Sequence, residues 1–229
     1  MQRTRHPNEP RQRSQTLSAV VEIKFTSAKR YIVRSIELFD EGNFYHIYNR
    51  GIDGENIFRF PNDYRDFIDS FREYTEDVLD VFAYSLLRNH FHSLVYVKKD
   101  VVVKRRDGDG LIKLLASRQL GHFFNSYAQS YNRAYNRTGG LFEKPFKRKM
   151  VDLCHYTSVI LYIHNNPQRH GFVPNFQEWP YSSYHNLIDD FPTFLKRETV
   201  LNWFGGIEKF LEAHDKYSTV DKEEKWMIE

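Results

Sequence analysis

The chain has 229 residues, a formal net charge of +3, 41% hydrophobic and 28% charged residues. That is long enough for one domain with a sizeable core and ordinary for a soluble protein. No apolar run approaches the roughly 20 residues of a membrane span, no apolar h-region follows the N-terminal arginines, and the single cysteine, Cys154, excludes an intramolecular disulfide. Membrane-spanning helical and disulfide-stapled classes are thereby set aside, and a reducing cytoplasmic setting is the expectation.

The charge is unevenly spread. Residues 1–16 hold four Arg against one Glu, and residues 171–229 hold six Lys or Arg against eleven Asp or Glu, which leaves +5 for residues 17–170. Within that basic middle, Lys98, Lys99, Lys104, Arg105 and Arg106 form one cluster and Lys144, Lys147, Arg148 and Lys149 a second. Clusters of this kind suit a polyanion, though lysines on strand edges also serve to discourage aggregation.

In chain order, residues 1–16 read as a basic tail with too little apolar content to fold alone, and residues 17–38 stay unplaced. Phe44–Gly51 alternates and ends at glycine, as a strand does. Asp63 then reads as the N-cap or first-turn acid of a helix whose apolar positions Tyr64, Phe67, Ile68, Phe71 and Tyr74 follow helical spacing. Val78–Leu87 and His90–Val97 predict two further strands joined by a short break, giving the order β-α-β-β. Lys98–Gly110 reads as a charged loop, and a long helix is expected over Leu111–Arg137, with a stripe of Phe123, Tyr127, Tyr131 and Tyr135 turned to the core. Gly139-Gly140 stops it, and Leu141–Asp152 reads as a two-strand ribbon.

Two stretches carry chemistry. In Asn89-His90-Phe91-His92-Ser93-Leu94 the histidines stand two apart on a predicted strand, so both project from one face about 6.6 Å apart while Phe91 points into a core. That is a geometry for gripping one metal ion, although so short a motif also arises by chance. About seventy residues on, a helix is predicted over Leu153–Asn166, closed by Pro167 and Gly171. Tyr162 and Asn166 are four apart and share one face, with Asn165 near it; Tyr156 lies about 120° away and points elsewhere. His164 and His155 read as surface or supporting groups rather than ligands, and His46 as a satisfied core histidine. Residues 172–229 predict a turn-rich segment around Trp179-Pro180-Tyr181 and two helices split at Gly205-Gly206.

Four blocks together resemble the HUH single-tyrosine transposases, nearest to the REP-associated tyrosine transposases: YHIYNRG with the DYRDF helix after it, NHFHSLV, YNRAYNRTGGLFEKPFKRK, and YIHNNPQRHGFV followed by WPYSSY. The C-terminal FLKRETVLNWFGGIEKF is also similar to tails of that family, so that the likeness runs over about residues 43–212. Arg88 stands where the family often has proline, and Ser93 where leucine often follows the second histidine.

The resemblance implies an α+β fold, an antiparallel sheet with helices packed on it (a ferredoxin- or RRM-like HUH core), with a helical C-terminal extension. It divides the chain into residues 1–38, a catalytic domain over 39–171 and an extension over 172–229. It implies His90, His92 and Asn166 as metal ligands, Tyr162 as the nucleophile, and metal-dependent cleavage and transfer of single-stranded DNA, often beside a hairpin, through a 5′-phosphotyrosine. The cofactor it implies is Mg2+ or Mn2+, with no ATP; by ligand softness alone, zinc or manganese would suit two imidazoles better than magnesium. A monomer and a homodimer sharing active sites both fit, and no membrane is involved. The two basic clusters are candidate DNA contacts. Two other readings stand beside this one: a catalytically silent module binding hairpin nucleic acid, and a hydrolytic metal-dependent nuclease.

Overall fold

The computed structural model describes residues 39–104, 110–143 and 145–218, so the expectations for residues 1–38, and for Arg105, Arg106 and Lys144, fall outside the described residues. Three strands form where alternation places them: β1 (Phe44–Arg50), β2 (Leu79–Leu87) and β3 (His90–Val97). Helix α1 (Pro61–Thr75) lies between β1 and β2. Asp63 is its first-turn acid, with Oδ2 accepting from the backbone N–H groups of Arg59 and Phe60 (2.6 and 2.9 Å), an electrostatically favourable place for a carboxylate.

The main sheet is antiparallel, with β3 between β2 and β1 and a fourth strand beyond β1, and that last strand corrects the expected ribbon. Only Lys147–Val151 is a strand (β6), and it pairs with β1, Lys147 opposite Tyr48 and Lys149 opposite His46. The preceding segment meets the chain around the end of β1, where Gly51 forms an isolated bridge with Phe142 and Glu143 N donates to Arg50 O (2.9 Å). Pro145 lacks the N–H that a ladder needs, so a second ribbon strand cannot be completed there. The helix expected from Leu111 starts later: Leu111–Lys113 is a short strand (β5) paired with Val102–Lys104 (β4), and α2 spans Ala116–Ala134. The β-branched run Val101-Val102-Val103 offers Leu111-Ile112 a ladder partner, and that pairing outweighs the local helical pattern.

The pleat separates two layers. Phe91 of β3 packs against Phe67 of α1 (ring centroids 5.1 Å) and Phe124 of α2 (5.9 Å). The stripe expected on α2 is in the core: Phe123, Tyr127 and Tyr131 are buried, and Tyr135 packs partly exposed with its hydroxyl on Asp63. Burial, with Asp63 nearby, raises the Tyr127 hydroxyl far above the ordinary phenol range, and it donates to Ile57 O at 2.8 Å.

The opposite sheet face is covered by α3 (Tyr156–Arg169), with α4 (Tyr184–Ile188), α5 (Arg197–Phe204) and α6 (Ile207–Ser218) following. Helix α3 begins after a 3-10 turn at Leu153–His155 and runs past the expected stop, through Pro167. Near the C-terminus of a helix proline forfeits one backbone bond; the chain leaves the helix at Gly171, whose φ of +69° is a glycine conformation. The C-terminal segment also closes the β2 edge. Leu86 N donates to Tyr181 O (2.9 Å), Ser183 N to Tyr84 O (2.9 Å) and Lys196 N to Val81 O (2.9 Å), which leaves less of that edge open to another chain. No helix of the described residues is long and apolar enough to cross a membrane.

Candidate active site

Strand β1 buries Tyr45 and Ile47 on the α1–α2 side and turns His46 and Tyr48 to the α3 side; antiparallel pairing sets Tyr48 opposite His92 and Arg50 opposite His90. Helix α3 then lays Tyr162 and Asn166, one turn apart, over that same face. Two pairs of residues that lie seventy or more positions apart in the chain thereby meet. His90 Nε2 lies 3.2 Å from Asn166 Oδ1, the His90 and His92 rings are 5.1 Å apart and perpendicular, and the Tyr162 ring stands edge-on to His92 at 5.6 Å. His92 and Asn166 are fully buried, and His90 and Tyr162 nearly so.

The hydrogen bonds around the histidines orient them. Asn89 Nδ2 reaches Gly54 O (3.4 Å), which leaves its Oδ1 toward His90 Nδ1 at 2.7 Å; an amide oxygen only accepts, so His90 Nδ1 carries the proton. His90 Nε2 consequently presents a lone pair to Asn166 Oδ1, itself an acceptor, while Asn166 Nδ2 has no hydrogen-bond partner among the described residues. Two arrangements relieve that contact: rotation of the amide, so that Nδ2 donates to His90, or a cation shared by the two acceptors. His92 Nδ1 meets His46 Nε2 at 3.0 Å, the kind of outer contact that fixes a ligating imidazole with its other nitrogen forward. In the second arrangement His90, His92 and Asn166 are the candidate donors for a divalent ion. Among the described residues no group of three or more His, Cys, Asp or Glu could hold a metal.

Several neighbours escaped sequence reasoning. His46 is buried and hydrogen-bonded, as a satisfied core histidine should be; what local sequence did not show is that one of its partners is His92, at 3.0 Å. Asn89 steadies His90; His170 packs its ring 4.9 Å from that of His90; and the Arg169 guanidinium lies 5.3 Å from the Tyr162 ring centroid. Beside His90 a cavity of about 140 Å3 is lined by Arg50, Asn89, His170 and Phe172 as well. Asn165 instead turns back on its own helix, donating to Leu161 O, and Tyr156 packs between Phe44 and Trp203, away from the site.

His164 corrects the surface expectation. It is fully buried on the far side of α3, with Nδ1 2.8 Å from His214 Nε2 and Nε2 2.8 Å from Ser183 Oγ. The signal is missing from the local sequence because its cover comes from α6, fifty residues later.

The basic clusters part company. Lys147 and Lys149 pair with Tyr48 and His46 and so emerge on the histidine face, Lys147 5.6 Å from the Tyr48 ring centroid. Arg148 faces the other way, over the Phe146 and Phe39 rings. Lys98 stands beyond the opposite end of β3 from His90, more than about 20 Å along the strand, where it binds Glu76 O (2.7 Å) and Asp80 (3.4 Å). Lys99 and Lys104 are exposed beyond it.

No protein-family model and no curated protein matches the chain. Among solved structures it is similar to one described as a REP-associated tyrosine transposase bound to a REP hairpin, at 15% identity and a TM-score of 0.48, over 73% of this chain and 89% of that one.

Proposed function

We propose that the protein cuts and rejoins single-stranded DNA through a 5′-phosphotyrosine on Tyr162, with His90, His92 and Asn166 holding a divalent cation, Mg2+ or Mn2+. The observation that carries this reading is the meeting of the β3 histidines with Tyr162 and Asn166 of α3, including two acceptor atoms 3.2 Å apart. When bound, such an ion polarises the scissile phosphate and offsets charge gathering on its oxygens.

The chain's own residues account for the rest. Tyr162 Oη attacks phosphorus in line with the leaving 3′-oxygen; the Oη–P bond forms, the P–O3′ bond breaks, the phenol loses a proton and the 3′-oxygen gains one. A 3′-hydroxyl later reverses the exchange and rejoins strands. Each step trades one phosphoester for another, so no ATP is consumed. His46 and Asn89 fix the tilt and tautomer of the two imidazoles, Arg169 offers positive charge over the phenol, and Lys147 and Lys149 meet neighbouring phosphates. The catalytic part is proposed to be residues 39–171, with 172–229 as an extension whose described residues, 172–218, hold α3 from behind, in the cytoplasm and as a monomer or homodimer. A hairpin beside the cut belongs to the same reading.

The experiment is incubation of wild-type and Tyr162→Phe protein with labelled single-stranded DNA, in Mn2+ or EDTA, followed by a denaturing gel. A protein–DNA adduct that needs both the metal and Tyr162 is expected. Binding without an adduct would leave a silent hairpin-binding module, and metal-dependent cutting that survives Tyr162→Phe would leave a hydrolytic nuclease.

A further inference from the structure

On the sheet face away from the histidines, a cavity of about 530 Å3 opens between α2 and residues 139–143, 145 and 146. That volume lies in the range of small-molecule sites. Its walls combine rings and amides. Phe124 and Phe142, 5.1 Å between centroids, supply the first; Asn49, Asn125 and Gln129 supply the second. Asn125 and Gln129 are exposed and make no hydrogen bond among the described residues, whereas Asn49 is buried, its Oδ1 accepting from Arg50 N at 3.0 Å. The one charged side chain in the wall, among the described residues, is Glu143, already near Arg50 (3.5 Å) and Lys147 (3.8 Å).

Gly121 is the unusual member of this wall. It sits inside α2, where glycine is the poorest choice after proline. A Cβ built there meets no atom within 4 Å, so close packing does not demand the glycine, and its φ is not positive. What glycine supplies at 121 is room. The cavity shares Asn49 with a narrow cleft whose walls include Arg50 and His90, and those two residues also line the recess beside His90, so all three border the end of β1.

We propose that this cavity receives one unpaired base of a single strand whose backbone lies at the candidate cleavage site, an inference that rests on the single-stranded DNA reading above. A base is an uncharged ring with a polar edge; it stacks on Phe124 or Phe142 while its edge meets Asn125 and Gln129. The neighbouring phosphates stay outside with Arg50 and Lys147. Side-chain amides match the N6 and N7 of adenine best, so adenine is the favoured guest.

The test uses the full chain in EDTA, with fluorescence anisotropy of labelled oligo(dA), oligo(dT) and an abasic deoxyribose-phosphate strand, each of about 12 nucleotides. Gly121→Leu fills the cavity, meets no neighbour at Cβ and improves helix propensity, so its melting temperature should not fall. Wild type should bind oligo(dA) about 10-fold tighter than the abasic strand, Gly121→Leu should lose that advantage, and Gln129→Ala should narrow the preference for dA over dT. Wild-type affinities in Gly121→Leu, or equal binding of abasic and oligo(dA) strands by wild type, would overturn the proposal. Displacement of oligo(dA) by free dAMP near the strand's own Kd would assign the cavity to a free nucleotide and overturn it too. Because no cleavage is read, absence of a phosphotyrosine adduct leaves this result intact, and loss of base binding leaves the adduct assay intact.

Discussion

Acidification probes the histidine pair that backs α3. His214 Nδ1 lies 2.8 Å from Phe210 O, an obligate acceptor, so that nitrogen carries the proton and Nε2 is bare. His164 Nδ1 then donates to His214 Nε2, and the Ser183 hydroxyl donates to His164 Nε2. A proton added to His214 would set two N–H groups face to face. Burial is the main cause that pushes His214 down to about 4, and burial with the neighbouring His214 and His185 holds His164 well below 6.5.

In the unfolded chain His214 returns to about 6.5. Between pH 6.5 and 4 the unfolded state therefore binds a proton that the native state refuses. Stability is whole above pH 6.5 and falls as pH drops, by about 1.4 kcal/mol per unit and about 3 kcal/mol in all from this residue, levelling below pH 4 where both states are protonated. Urea unfolding of wild type and His214→Gln, at pH 7.5 and 5.0, isolates the effect, since a Gln oxygen still accepts from His164 and does not titrate. Wild type should lose about 2 kcal/mol more than the variant over that interval. Equal losses in the two proteins would refute the linked-proton account.

Two further predictions concern the core and the proposed metal site. Phe67 is 1% exposed and packs among Phe58, Phe71, Phe91, Phe123 and Tyr127, so Phe67→Ala should cost about 3–5 kcal/mol in a urea titration. A loss below about 1 kcal/mol would mean the site collapses around the missing ring. His46→Phe keeps the ring volume but removes the partner of His92 Nδ1, and should weaken Mn2+ binding by calorimetry about 10- to 100-fold. Unchanged affinity would reduce His46 to a packing role.

Local pattern was enough for much of this molecule. Alternation in Phe44–Arg50 and His90–Val97 set both the strands and the face on which the histidines emerge, because the side-chain period of a strand is two whatever it pairs with. The i, i+4 relation of Tyr162 and Asn166 likewise needs only a helix, and it survived a shift in the boundaries of α3 at both ends. Where the pattern failed, a distant partner decided. Leu111–Lys113 is a strand because β4 is there to pair with it, and Lys147–Val151 joins the main sheet because β1 has an open edge at that point.

The candidate site divides along the same line. Sequence alone determined which face of its own element each candidate residue occupies, since that follows from the periodicity of a single segment. Only the tertiary structure decided that β3 and α3 face each other, that His46 and Asn89 orient the two imidazoles, and that Lys147 rather than Lys98 stands near them. Those are contacts between segments far apart in the chain, set by strand order and by the packing of buried surface, and no local spacing encodes them.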